Sequence, residues 1–305
     1  MPLSGLHLIQ RSLLTMKHPL LRAPGRGRNY TPLRGLGELL MRVVYQGGWP
    51  ARAWSQVPGR ALVERLDHAI CLDPARPRSS PLRIAFASDL HLGPTTPASV
   101  LDRAFGLLRE AAPDVLVLGG DYVFLEATPT MARELRDRVL SVPARTKLAV
   151  MGNHDLWTHH GLIEEALAEA GARVLINDAV RLPPPHDDVA MLGIDDPWTG
   201  RPDGARAAAA CGDARVRIGI SHSPDGLPFL RGRGVSLLLT GHTHGGQIAL
   251  PGPRPIIVPG PLGKRWPFGL HREADLTLFV SRGVGTTELP IRTFATPDIA
   301  VFTVT

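Results

Sequence analysis

The sequence predicts an α/β domain, on three observations. Short apolar runs of strand length alternate with segments of helical spacing, the pattern of a sheet covered by helices. Five of those runs end in clusters of Gly, Asp, His and Asn. The 305 residues, 44% hydrophobic and 20% charged, are enough for a buried core and exclude a disordered chain.

Residues 1–80 read as a basic N-terminal arm, interrupted by Pro and Gly. Residues 1–60 carry nine Lys/Arg and one acid, Glu38, a charge of +8; the rest of the chain has 25 bases and 27 acids, or −2. The body is therefore not basic, which argues against an extended nucleic-acid partner. A basic arm on a near-neutral body fits an anionic surface. Residues 36–45 and 61–70 have helical spacing. Tyr45, Trp49 and Trp54 beside the arginines fit interfacial binding to anionic lipid, with a disordered basic tail or a start at Met16 or Met41 as competing readings. A basic start, an unbroken apolar stretch and a small-residue cleavage site do not occur in the order of a signal peptide. No apolar run approaches the roughly 18–20 residues of a spanning helix. The expected location is cytoplasmic, peripheral on the inner face of the membrane.

Residues 81–305 read as the main domain. Residues 82–88, 114–118 and 147–151 are buried-strand runs, separated by helical spacing over 98–112 and 130–140. Residues 162–170 read as a further helix; 190–194, 216–220, 236–240, 276–281 and 299–304 read as further strands.

The strand ends carry the chemistry. They are Ser88-Asp89-Leu90-His91, Gly119-Gly120-Asp121, Gly152-Asn153-His154-Asp155, Ser221-His222-Ser223 and Gly241-His242-Thr243-His244. Open α/β sheets bind ligands at the carboxyl ends of their strands, so five such ends point to one shared site. Carboxylate and amide oxygens mixed with imidazole nitrogens suit Mn, Fe, Zn or Ni. With only Cys71 and Cys211, a Cys-rich zinc module and a disulfide framework are excluded. Seven candidate ligands, Asp89, His91, Asp121, Asn153, His222, His242 and His244, are too many for one open catalytic ion and suit two ions sharing a carboxylate. If these ends stay extended, pleat alternation sends Asp89 and His91, and likewise His242 and His244, to one side.

Taken in order, the blocks D-x-H, G-D, G-N-H-D, an isolated His and G-H-x-H resemble the calcineurin-like metallophosphoesterase superfamily over about residues 82–305. The resemblance implies a four-layer sandwich, two mixed β-sheets flanked by helices, with a dinuclear metal site at the strand ends. It implies that Asp89, His91 and His244 hold one divalent ion and Asn153, His222 and His242 the other, with Asp121 bridging. The ions would be Mn, Fe, Zn or Mg. His154 would face the substrate and Asp155 would orient His154. A hydroxide held by the metals would attack phosphorus. The stretches GHTHGGQIALPG and VSRGVGTTELPIR look like the bacterial branch that includes membrane-associated phosphohydrolases of the UDP-2,3-diacylglucosamine pyrophosphatase type. The expected substrate is thus a phosphodiester or pyrophosphate, preferably lipid-linked. A soluble nucleotide or small phosphodiester competes with it, and a metal-binding interaction scaffold is the non-enzymatic alternative.

Three features stay open between substrate contact and structure. Asp195 and Asp196 either touch substrate or form a turn before Pro197. Arg282 ends a strand, where its donor fork either reaches a phosphate or closes an ion pair. Residues 261–270, with Lys264, Arg265, Trp266 and Phe268, are either an amphipathic wall of the site or a packed loop.

Overall fold

The computed structural model describes residues 25–57, 62–78, 80–273 and 275–305. The readings made of residues 1–24 therefore lie outside the described residues. The strands of the first sheet are β1 (Glu64–Ile70), β2 (Leu82–Ala87), β3 (Val115–Leu118), β4 (Thr146–Ala149), β5 (Ala172–Val174) and, at the end of the chain, β14 (Asp298–Val304). Those of the second are β6 (Asp178–Arg181), β7 (Val189–Gly193), β8 (Val216–Ile220), β9 (Val235–Thr240), β12 (Gly269–Arg272) and β13 (Thr277–Val280). A short ribbon pairs β10 (Ala249–Leu250) with β11 (Arg254–Pro255).

The first sheet has the order β1-β14-β2-β3-β4-β5, and the second β12-β13-β9-β8-β7-β6. From β2 to β5 all pairs are parallel, while β14 runs antiparallel to β2. The second sheet is parallel from β13 to β7, with antiparallel edges β12 and β6. Both sheets are mixed, and alternation along each strand builds the layers. Leu82, Ile84 and Phe86 of β2 meet Met191, Ile218, Leu239 and Phe279 between the sheets. Ala85 and Ala87, one residue out of step, face the helices α3 (Ala98–Glu110), α4 (Pro129–Leu140) and α6 (His160–Glu169). Ala190, Leu192 and Leu238 turn the other way, onto α7 (Gly204–Ala209) and α8 (Leu227–Leu230). The result is helix, sheet, sheet, helix. The parallel strands of each sheet point their carboxyl ends the same way, which brings the polar clusters together.

Of residues 61–70, read from spacing as a helix, Glu64–Ile70 correct to the strand β1, which pairs over seven residues with β14. Leu66 and Ile70 lie four apart, a separation that serves both a helical face and one side of a strand. Their contact with the core between the sheets decides for the strand.

Upstream, the chain lies against the body. Helix α1 spans Pro32–Val44, capped by the Thr31 hydroxyl accepting from the Arg34 amide at 3.2 Å, with Pro32 in the first turn. This cap explains why it starts before residue 36. It is followed by α2 (Trp49–Ser55). Glu38 of α1 is buried against the body, whereas Leu33, Leu36, Leu40 and Val43 face outward. The amide of Gly27 donates to Leu156 O at 2.7 Å, and a Cβ on Gly25 would stand 2.1 Å from that same oxygen, so the approach requires glycine.

Arg26 makes a two-pronged bond to Asp195, at 2.7 and 2.9 Å. Burial would raise the Asp195 carboxyl, but Arg26 and the Arg201 amide hold it below the usual carboxylate range. A depressed folded pKa stabilises the fold above the unfolded value of about 3.9 and ceases to do so as pH falls through the folded one. Asp195→Asn should therefore lower stability by about 1–2 kcal/mol at pH 7. Denaturant midpoints should show the gap to wild type narrowing as pH drops below about 4. A gap that stays constant down to pH 3 would remove the charge from this account.

Candidate metal centre

The two ligand sets assemble from both sheets. Asp89 and His91 follow β2, Asp121 follows β3 and Asn153 follows β4; His222 follows β8, and His242 and His244 follow β9. Asp89, His91 and His244 present ligand atoms within 4.8 Å of one another, and so do Asp121, His222 and His242. In the first group His91 Nε2 lies 3.1 Å from His244 Nε2, and His244 Nε2 lies 3.4 Å from Asp89 Oδ1. In the second, His222 Nε2 lies 3.1 Å from His242 Nδ1 and 3.2 Å from Asn153 Oδ1. Asp121 Oδ2 stands 3.2 Å from His222 Nε2 and 3.6 Å from His91 Nε2, between the groups.

The pairs Asp89/His91 and His242/His244 do not reach their places by pleat alternation. Their φ angles are 56, 45, 71 and 53°, and that of Asp121 is 54°. The expectation of an extended segment is corrected: five candidate ligands sit in left-handed backbone, which non-glycine residues rarely adopt. Such strain persists where surrounding bonds over-determine it. The Asp89 amide donates to Gly120 O at 2.9 Å and the His91 amide to Asp121 O at 3.1 Å. Asp89 Oδ2 accepts from the His242 amide at 3.0 Å. The loops also press together: a Cβ on Gly152 would stand 2.1 Å from Asp121 Oδ1.

The donor set fits divalent cations. Asp89 and Asp121 are buried, and neither bonds a lysine or arginine among the described residues. Imidazoles are the groups beside them that can carry positive charge, His222 above all, and burying two carboxylates with so little compensating charge is costly. Burial pushes the Asp89 carboxyl up to about 6. Burial pushes His91 down to about 4 and His242 to about 3, and holds His244 well below its ordinary value. These rings are neutral at pH 7, with lone pairs free for a metal. Burial would lower His222 and raise Asp121, but their mutual attraction reverses both. Residues that hold ligands in place complete the set. His222 Nδ1 lies 2.9 Å from Gly119 O, which fixes its ring.

His154 is half-buried, its ring 4.9 Å from that of His91, and its amide donates to Asp121 Oδ1 at 2.9 Å. Burial holds the ring well below its ordinary pKa, and the charge of Arg34 adds to this. The expected role of Asp155 changes. Its carboxylate accepts from the amides of Asp121, Tyr122 and Gly152 at 2.8, 2.8 and 2.9 Å, and no bond joins it to the His154 ring. Asp155 is the third residue of a helical turn, α5 (Asn153–Trp157), where its side chain reaches back to the Gly152 amide at the cap and to the loops it ties together.

A cavity of about 540 Å³ opens over the ligands. Its lining includes Asp121, His154, His242 and His244, with Trp157, Trp198, Ile256, Ile257 and Leu289 as an apolar wall. Asp196 and Arg282 are not among the lining residues. Asp196 Oδ2 closes a turn, accepting from the amides of Trp198 and Thr199 at 3.1 and 2.6 Å. Arg282 is held by Asp298 at 2.9 Å and by Glu64. Residues 261–268 pack as a loop containing the turn α9 (Pro261–Arg265), with Trp266 buried in the outer core, and 269–270 open the strand β12; the apolar wall comes instead from Ile256 and Ile257 just before the loop.

Two arginines near the site carry no sequence signal. Arg292 is buried, with Nη2 3.1 Å from His244 Nδ1 and Nη1 donating to Arg282 O at 2.8 Å. It lies 48 residues beyond His244. Arg34 enters the cavity from α1, upstream of every motif.

Comparison with known proteins agrees with this geometry. A phosphodiesterase of Escherichia coli K12, YaeI, is 32% identical over 216 residues, 68% of this chain and 76% of its own length. An uncharacterised metallophosphoesterase of Bacillus subtilis, YkuE, is 32% identical over 225 residues, covering 72% and 78%. The UDP-2,3-diacylglucosamine pyrophosphatase LpxG of Chlamydia muridarum is 26% identical over 275 residues, covering 72% and 82%. The calcineurin-like phosphoesterase family model matches residues 82–246, the span that holds all seven ligand positions, and the chain belongs to that family.

Proposed function

We propose that this enzyme hydrolyses a phosphodiester or pyrophosphate bond in a lipid-linked substrate, as a peripheral protein at the cytoplasmic face of an anionic membrane. The observation that carries the lipid reading is the apolar wall. Ile256, Ile257 and Leu289 line the cavity yet remain 57, 77 and 50% exposed. Tyr45, just past α1, donates its hydroxyl to Glu288 O, on the rim of the same cavity. Helix α1, with its exposed leucines and valines, thus ends at the rim of the cavity. Among the described residues, no helix is long and apolar enough to cross a membrane. An apolar face beside a basic segment binds at an interface by apolar burial plus attraction to anionic lipid.

Asp89, His91 and His244 would hold one divalent ion, and Asn153, His222 and His242 the other, with Asp121 between them. Bound there, two such ions supply Lewis acidity and a lowered pKa for water. The neutral His154 ring donates an N–H to the phosphoryl oxygens, and Asp155 fixes the loops that position it.

Vesicle binding tests the lipid reading on the full chain. Wild type should sediment with phosphatidylglycerol vesicles, less so as salt rises. Leu36→Glu/Leu40→Glu should weaken binding at least about 10-fold, since each buried leucine contributes roughly 1.5–3 kcal/mol. Turnover of a small water-soluble phosphodiester should persist, because neither leucine lines the cavity. Equal vesicle binding by the double variant would remove α1 from the membrane contact.

A further inference from the structure

We infer that Arg34 forms an anion subsite for a second phosphoryl group of the substrate, beside the one at the metal ligands. The inference rests on the phosphohydrolase reading above and adds the class of substrate. Arg34 lines the same cavity as Asp121, Asn153, His154, His242 and His244, and is the one Lys or Arg among its described lining residues. It reaches there from α1, outside the span 82–246 that matches the family.

Its guanidinium is fixed in two ways. The central carbon stacks 3.6 Å from the centroid of the Trp157 ring. Nε donates to Glu38 Oε1 at 2.9 Å. Glu38 is itself held by the Tyr30 hydroxyl at 2.7 Å and is only 5% exposed. These contacts use one ring face and one nitrogen. Among the described residues the terminal nitrogens make no hydrogen bond, which leaves the outer edge of the fork for a ligand. An exposed pair four residues apart merely steadies a helix. Here the carboxylate is buried and the guanidinium is turned onto an aromatic ring of the site, which a helix-steadying pair does not require.

Position and chemistry then name the ligand. Arg34 touches Trp157, the Trp157 ring lies 5.4 Å from that of His154, and the His154 ring 4.9 Å from that of His91. The guanidinium is thus removed from the ligands by intervening rings and suits an anion next to the reacting phosphorus. A planar fork held in place binds phosphate oxygens in pairs at little entropic cost. A pyrophosphate diester carries such a second anionic phosphoryl group; a simple phosphodiester does not.

The test compares kcat/KM of the Mn-loaded full chain on UDP-N-acetylglucosamine and on bis(4-nitrophenyl) phosphate. Arg34→Gln should lower the ratio of the first to the second by about 10- to 100-fold, mainly through KM, the scale of a charge-assisted phosphate contact. Arg34→Lys should recover part of the ratio by restoring charge without the fork. Thermal melts check that both variants fold; if Arg34→Gln does not, Arg34→Lys alone carries the comparison, with a smaller fall expected. Equal fractional losses on both substrates would mean a packing role and overturn the subsite. So would a wild type that turns over the phosphodiester while the nucleotide sugar neither reacts nor competes. No turnover of either substrate by wild type would overturn the hydrolase reading, and the subsite with it.

Discussion

Asp121→Ala should release metal and abolish hydrolysis together. One oxygen of this carboxylate faces both ligand groups, at 3.2 Å from His222 and 3.6 Å from His91, while the other accepts the His154 amide. Its loss removes the carboxylate shared by the two ligand groups and frees the loop that carries His154. Replacing a residue that only supports a ligand costs roughly 10–100-fold. Loss of the bridge should exceed that, with kcat/KM down by about 10³-fold or more. Elemental analysis after dialysis against Mn should fall from two ions per chain to one or fewer. Asp121→Asn keeps the shape but not the charge, and should lose metal as well. A variant that retains both ions and turns over normally would refute the dinuclear assignment.

His154→Ala should separate chemistry from metal binding. The ring lies in the cavity but in neither ligand group. Both ions should stay bound, while kcat falls by roughly 10²–10⁴-fold, the usual range for a positioned acid–base or donor side chain. Because burial keeps the ring neutral, donation to the phosphoryl oxygens is its expected part, so good and poor leaving groups should suffer alike. A loss confined to poor leaving groups would instead assign it to protonation. Metal loss as deep as in Asp121→Ala would make it a ligand.

The strand-end donors that cluster in the structure were legible in the chain because their signal is local. A run such as residues 82–88 announces a buried strand, and the polar block after it holds oxygen and nitrogen donors within three or four positions. Five such blocks in order, with parallel strands implied between them, place the donors at one end of a sheet. The backbone that aims them was not legible. Left-handed φ at Asp89, His91, Asp121, His242 and His244 is imposed by bonds between loops, such as the His242 amide on Asp89, 153 residues away. Asp155 follows the same rule: its neighbour in sequence is His154, yet two of its bonds go to amides 33 and 34 residues earlier.

Strand or helix at residues 64–70 was likewise undecidable from spacing, since Leu66 and Ile70 satisfy both periods until β14 supplies a partner. The sequence by itself determined the α/β class, the strand-end donors and the basic character of the N-terminal segment. These depend on composition and on periods of two or 3.6 residues. Only the tertiary structure decided that Arg34 enters the cavity, that Arg292 meets His244, and that the leucines of α1 face outward while Glu38 is buried. Those are contacts between distant segments, and in α1 they cover Glu38 in place of the apolar face that helical periodicity would bury.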